Sequence, residues 1–389
     1  MASIRRPALA AAALAAVLAV TATACGPTDD NAGDPAAATA GQGGGENDLA
    51  LPDDLNSRLK ELGLDLDKWR NGDWKNWKKD DWLREANEFI NPVIDDLWKP
   101  DRMKDADVPE KTVPTDVAEE QGVTDPTPDP VQAQRVDTPY HRNAAPVGKV
   151  FFDGPEGSMV CSGTVVKDPA NPGRSNMVWT AGHCVHAGQK GGWYRNIVFV
   201  PSYNDNEVPA EQIANTPREQ VAPYGIWWSD WASTSQEWIS RGAQEGGAGA
   251  PYDYAVLHVK PEEGSGKSLE ETVGAALPVA FETPSVQDIR SMGAWGYPAA
   301  PPFDGVRMFS CVDAPGRLSL FQDQPTMYRI GCTMTGGSSG GGWFASVNNE
   351  TALVSNTSIG PVTGGWLAGP QLGAGAKAVF DSVSRKFAS

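Results

Sequence analysis

Three short islands, far apart in the chain, supply a histidine, an aspartate and a serine in that order. They are Thr180-Ala181-Gly182-His183-Cys184, Tyr252-Asp253-Tyr254-Ala255-Val256-Leu257 and Gly336-Gly337-Ser338-Ser339-Gly340-Gly341. One constellation of these side chains recurs on unrelated folds in different chain orders, so the order itself narrows the fold. The chemistry explains the residue types. A serine hydroxyl is a weak nucleophile at its own pKa, so an imidazole must take its proton and a carboxylate must hold that imidazole in one tautomer. His183 sits in a small-residue, strand-ending setting beside a cysteine. Asp253 opens an extended apolar run between two tyrosines, whose bulk would suit a pinned carboxylate.

The serine island can be read in two registers. Gly337 to Gly341 fits G-x-S-G-G with Ser339 as nucleophile, and Gly336 to Gly340 fits G-x-S-x-G with Ser338. The second pattern belongs to a strand–turn–helix elbow whose partners follow as Asp and then His. No histidine follows His258, so the elbow is excluded and Ser339 is assigned. The backbone N–H groups of Gly337 and Ser339 can then face a developing oxyanion, with glycine permitting the positive φ of such a turn.

Composition sets the surroundings. A net charge of −17 excludes a polyanion such as nucleic acid as partner, because that binding needs Lys and Arg on the phosphates. Residues 1–24 read as an export signal: Arg5-Arg6, an apolar run from Ala8 to Val20, and Ala22-Thr23-Ala24 as the cleavage site. Cys25 follows that site and either carries a lipid that attaches the chain to the cell envelope or is a trimmed thiol. The location expected is therefore extracellular or at the cell surface. Four further cysteines, Cys161, Cys184, Cys311 and Cys332, allow three disulfide connectivities in an exported chain. Pairing along the chain, Cys161 with Cys184 and Cys311 with Cys332, keeps one bridge in each half of the domain. Their spacing offers no zinc site, and no cofactor or metal is expected.

Residues 25–50 are a Gly-rich flexible linker. Over 51–99, Leu55, Leu59, Leu62, Leu66 and Trp69 recur at helical spacing, continued by Trp74, Trp77, Trp82, Phe89, Val93 and Trp98. This predicts two or three short amphipathic helices, serving as a packed hairpin, a propeptide or an interaction module. Residues 100–144 form an acidic, Pro-rich linker, the natural place for a precursor to be cut. From 145 to 385 short β-rich runs alternate with Gly/Pro turns, the signature of an all-β sandwich or barrel. The expected strands are Lys149 to Phe152, Cys161 to Val166, Met177 to Thr180, Ile197 to Val200 and Tyr254 to Val259. A second set follows: Pro278 to Phe281, Met292 to Tyr297, Met308 to Val312, Tyr328 to Cys332, Gly342 to Ala345 and Ala352 to Thr357. Residues 226–245, with Trp227, Trp228, Trp231 and Trp238, read as a helix-like or loop insertion whose tryptophans pack.

The three islands together resemble the active-site motifs of the trypsin-like serine peptidases, especially their bacterial, glutamyl-endopeptidase-like branch, over residues 145–385. The resemblance implies two antiparallel six-stranded β-barrels with the site between them, preceded here by the helical segment and linkers. It implies His183 as base, Asp253 as orienting acid, Ser339 as nucleophile, a disulfide beside the histidine and polypeptide substrates. Ser338 stands where animal trypsins carry the Asp that pairs with a freed N-terminus, so that activation switch is expected to be missing. The pocket near Thr333 has no acidic residue; Thr333, Thr335, Ser355 and Thr357 are its polar candidates. His141, His186 and His258 are read as structural, and a His183–His186 metal pair is set aside. The alternative function is a catalytically silent binding module of the same fold, or a surface lipoprotein acting through its Trp-rich segment. The number of subunits is left open.

Overall fold

Alternate residues of a strand face opposite sides, and in the strand Val147–Gly154 both sides are buried. Val150 and Phe152 join one core, and Val147 and Phe151 another. The strand Arg195–Pro201 repeats this, with Ile197 and Phe199 in the first core and Val198 and Val200 in the second. The first core is the inside of a barrel; the second lies between that barrel, the other half of the domain and the N-terminal segment.

The computed structural model describes residues 69–76, 91–109, 111–114, 123–264 and 266–389. The expected export signal, Cys25, the Gly-rich linker and the helical positions from Leu55 to Leu66 and from Trp77 to Ile90 lie outside the described residues. Two short strands, β1 (Thr112–Val113) and β2 (Gln134–Arg135), precede the barrel. The barrel comprises β3 (Val147–Gly154), β4 (Gly157–Val166), β5 (Met177–Thr180), β6 (Arg195–Pro201), β7 (Trp227–Thr234) and β8 (Ala255–Pro261). It closes in the order β3-β4-β5-β8-β7-β6, every pair antiparallel.

The second half contains β9 (Met292–Gly296), β10 (Phe309–Asp313), β11 (Gly316–Leu318), β12 (Met327–Gly331), β13 (Gly342–Val347), β14 (Glu350–Asn356), β15 (Gly360–Pro361) and β16 (Trp366–Pro370). Two closed barrels were expected, but here the ladder is divided among described residues into a five-stranded sheet, β14-β13-β9-β10-β2, and a three-stranded sheet, β11-β12-β16. Side chains join them instead: Met292, Ala294, Tyr328, Ile330, Trp343 and Leu367 share one core with the Cys311–Cys332 disulfide. The edge of β10 is taken by β2, a strand from the segment read as linker.

Three other expectations change. Residues 226–245 are not an insertion: β7 is a barrel strand, and helix α2 (Gln236–Arg241) follows it, numbered after helix α1 (Pro100–Lys104). Trp227 faces the barrel core and Trp228 the outer core, so apolar residues occupy both faces and the period-2 signal disappears. Pro278 to Phe281 forms an isolated bridge between Val279 and Leu353 rather than a strand. Unforeseen, helix α3 (Ala374–Lys386) lays Ala376, Val379, Phe380 and Val383 against Trp179, Tyr254 and Val256.

The segment before the barrel is built onto it. Trp98 is fully buried, donates from Nε1 to the Asn196 carbonyl at 2.8 Å, and lies 5.4 Å from the Phe151 ring. The Asn91 side chain bonds Ile197 and Ser229 across two barrel strands. Further on, Arg317 clasps the Asp125 carboxylate at 2.7 and 3.0 Å. Trp98→Ala should therefore cost about 3–5 kcal/mol, the range for emptying a buried tryptophan site. A lowered urea midpoint at constant m-value would show it; an unchanged midpoint would place residues 91–99 outside the cooperative unit.

Candidate active site

β5 ends at Thr180, and the tight turn Gly182–Cys184 follows it immediately. Gly182 is needed here because a Cβ would lie 2.7 Å from Thr234 Oγ1 and 2.8 Å from the Trp238 ring. Cys184 is bonded to Cys161 on β4, fixing the turn to the barrel, and the second bridge joins Cys311 to Cys332. The turn presents His183 to Asp253, which lies between the turn Ala250–Tyr252 and β8.

The Asp253 carboxylate is fully buried and takes three hydrogen bonds. The His183 backbone N–H donates to Oδ1 at 2.7 Å, and His183 Nδ1 lies 2.7 Å from Oδ2. Ser358 Oγ donates to Oδ2 at 2.5 Å. Burial alone would raise this carboxyl's pKa; the His183 charge and hydrogen bond, Lys111 and Ser358 outweigh it and hold it below the usual value. The tyrosines contribute less than expected: Tyr254 packs toward Trp179 and α3, and hydrogen bonds rather than aromatic bulk pin the carboxylate. Asn356 secures the backbone by donating to the Asp253 carbonyl while accepting from Trp179 Nε1.

The serine turn packs against the same strand end. A Cβ on Gly340 would lie 2.2 Å from Thr180 Oγ1 and 2.8 Å from Ala181 N. Ser162 on β4 grips the turn twice, donating from N to the Ser339 carbonyl at 2.7 Å and from Oγ to the Gly337 carbonyl at 2.9 Å. Gly337 has φ +95°, and a Cβ there would lie 2.6 Å from the Tyr297 carbonyl, so the residue must be glycine. Ser338 Oγ is committed to the Thr335 carbonyl at 2.7 Å. The N–H groups of Ser338, Gly340 and Gly341 are bonded internally, while those of Gly337 and Ser339 have no acceptor among the described residues. His183 Nε2 is buried and likewise has no partner there, so the Ser339–His183 hydrogen bond is not formed in this structure.

Each of the four pocket candidates has its hydroxyl in a hydrogen bond within the fold. Thr333 Oγ1 accepts from Ala133 N, Thr335 Oγ1 donates to the Ala300 carbonyl, Ser355 Oγ to the Pro370 carbonyl, and Thr357 Oγ1 accepts from Trp343 Nε1. His141 and His258 bond Asp205 and Asp230, away from this site. The grouping of Cys161, His183 and Cys184 holds no metal ligand set, since the two sulfurs are joined to each other. Reading the sequence missed Ser358 and Asn356; a serine and an asparagine in a strand-end run carry no local signal for a partner 105 or 103 residues away.

His186 Nδ1 accepts from Gly188 N, and its ring stands edge-on to Trp193. Burial, then the Arg195 charge, lowers its pKa from 6.5 to about 4. The unfolded chain therefore binds a proton that the folded chain refuses, and this contribution to stability, complete above pH 6.5, is lost as pH falls toward 4. Thermal melts should show Tm falling across that window, with a smaller fall in His186→Asn, whose amide oxygen can still accept from Gly188. Equal falls in both proteins would assign the effect to other groups.

No protein-family model matches the chain, and no curated protein matches it. Among solved structures it is similar to a thermostable serine protease, AL20, from an extremophilic microorganism, at 32% identity and a TM-score of 0.50, covering 62% of this chain and 98% of that one. It is also similar to the protease Anisep from Arthrobacter nicotinovorans, at 28% identity and a TM-score of 0.50, covering 64% of this chain and 99% of that one. The closed barrel, the His–Asp–Ser order and these likenesses lead to one assignment: the chain belongs to the trypsin-like, chymotrypsin-fold serine peptidases and is a serine endopeptidase.

Proposed function

We propose that this exported endopeptidase cleaves polypeptides through a His183–Asp253–Ser339 triad and an acyl-enzyme intermediate. The observation that carries the reading is the double clasp of Asp253 on His183, through both the ring Nδ1 and the backbone N–H. A carboxylate bonded this way keeps the proton on Nδ1 and leaves Nε2 as the base. Ser339 Oγ adds to the scissile carbonyl carbon as His183 Nε2 takes its proton. The oxyanion lies against the N–H groups of Gly337 and Ser339, which no carbonyl among the described residues occupies. Collapse breaks the C–N bond, and His183 returns the proton to the leaving amine. Water, activated by the same imidazole, then frees the acyl group as a carboxylate and restores Ser339. Asp253 stays ionised throughout and stabilises the imidazolium. Export through residues 1–24, with envelope attachment at Cys25, belongs to the same proposal.

A fluorophosphonate probe should label the protein, and Ser339→Ala should abolish labelling while Ser338→Ala retains it. The reverse pattern would move the nucleophile to Ser338. Lack of labelling of folded protein, after linker removal as well as before, would favour the silent binding module. Gly337→Ala keeps the N–H but drives a Cβ onto the Tyr297 carbonyl, and displacing the donor in this way should lower kcat by about 10²- to 10³-fold, the usual effect of losing one oxyanion contact. Ser358→Ala removes one of the hydrogen bonds to Asp253 and should lower kcat by about tenfold with little change in KM. Cleavage of a peptide library by the wild type reads out the side-chain preference.

A further inference from the structure

The residues proposed for catalysis are almost closed off from solvent: His183 is 4% exposed, Asp253 0% and Ser339 5%. A peptidase that accepts extended chains needs an open groove and an unpaired strand edge beside its nucleophile. Here that edge is already occupied. Residues 107–109 and 111–113 contact both halves of the domain beside this region.

At one end the Asp107 N–H donates to the Ser158 carbonyl and its C=O accepts from Val160 N, both at 2.8 Å, on the strand that carries Cys161. At the other end β1 pairs with β15 in parallel, Thr112 opposite Gly360 and Val113 opposite Pro361. Gly360 is two residues beyond Ser358, the serine that bonds Asp253. Val362 N donates to the Val113 carbonyl at 3.3 Å, and Gly246 N to the Thr112 carbonyl at 3.2 Å. The two anchors are five residues apart, so the backbone between them spans at most about 17 Å.

Side chains seat the segment in between. Val108 lies against Gly336, the first residue of the serine turn; a Cβ there would be 3.2 Å from its methyl carbon. Lys111 is 7% exposed, donates to the Ala243 carbonyl and lies 4.2 Å above the Trp238 ring. That ring stands 6.2 Å from the His183 imidazole. Val113 is 1% exposed, in an apolar pocket of Leu318, Leu320, Met327, Ile359 and Trp366. A bare surface contact would not bury a lysine stem and a valine to this degree.

We propose that residues 107–113 are an autoinhibitory strap, occupying the groove and the β15 edge that a polypeptide substrate would use, and that the Val113 pocket is a binding site for an apolar substrate side chain. This inference rests on the triad reading above. Strap and substrate then compete for one edge, so activity toward polypeptides is set by the fraction of molecules with the strap released.

The test uses the full chain and two independent readouts: the rate of fluorophosphonate labelling, and amide hydrogen exchange at 107–113 and at Val362. Val113→Asp places a charge in the apolar pocket, and Lys111→Ala removes the anchor on Trp238 and Ala243. Each should expose the strap amides and speed labelling by at least about tenfold. A synthetic peptide with the sequence of residues 105–114, added in excess to the opened variant, should restore both slow labelling and amide protection at Val362. Unchanged labelling in both variants, with labelling itself present, overturns the proposal. If no form is labelled although the strap amides have lost protection, the triad reading is what has failed. In that case recovery of Val362 protection with the peptide still supports the strap's seat, and lack of recovery overturns it. If Val113→Asp loses protection throughout the barrel, Lys111→Ala and the peptide decide the question.

Discussion

A carboxylate buried without solvent would be expensive to keep ionised, and the arrangement around Asp253 is what makes it tolerable. Its donors come from different parts of the chain: the His183 turn after β5 and Ser358 beyond β14. Removing a charge from water costs several kcal/mol unless good hydrogen bonds replace the lost hydration. The two halves of the domain must therefore meet in one relative position for the site to exist. Asn356 reinforces this by bonding both the Asp253 carbonyl and the Trp179 indole, so the barrel wall and the second half are tied by one amide. Ser162 performs a similar service from β4, holding the carbonyls of both Gly337 and Ser339.

The halves differ in how they close. The first is a complete hydrogen-bonded barrel with an alternating interior. The second relies on a disulfide and side-chain packing between two sheets. Consequently the N-terminal segment has edges to fill: β2 takes the edge of β10, and β1 takes that of β15. Exposed edges invite pairing with any extended chain, and here the chain supplies its own. What reads as a linker in composition is in large part a structural and, on our proposal, an inhibitory element.

Legibility varied for physical reasons that can be followed residue by residue. His183 and Asp253 stood out because the chemistry admits few residue types, and their order along the chain excluded the elbow. The barrel strands around Val150, Val178 and Leu257 were readable from short β-rich runs between turns. β7 was not, because Trp227 and Trp228 are both buried and erase the alternation that marks a half-exposed strand. α3 was hidden by its small and polar residues, and its place is set by the apolar patch on β5 and β8 that it covers. The threonine and serine hydroxyls near the expected pocket were readable as polar, but not the loop and strand groups that consume them.

The amino-acid order alone supplied the proposed reaction chemistry, the register that points to Ser339 rather than Ser338 as its nucleophile, and the one-bridge-per-half pairing of cysteines. These are matters of residue type and local spacing, which survive without coordinates. The partner of Asp253 at Ser358, the open form of the second half and the seat of Asp107, Val108 and Val113 needed the folded chain. Each depends on groups far apart in the sequence meeting within hydrogen-bond or van der Waals distance. Ser358 is chemically an ordinary serine, and Val113 an ordinary valine, until packing brings one to a buried carboxylate and the other into an apolar pocket.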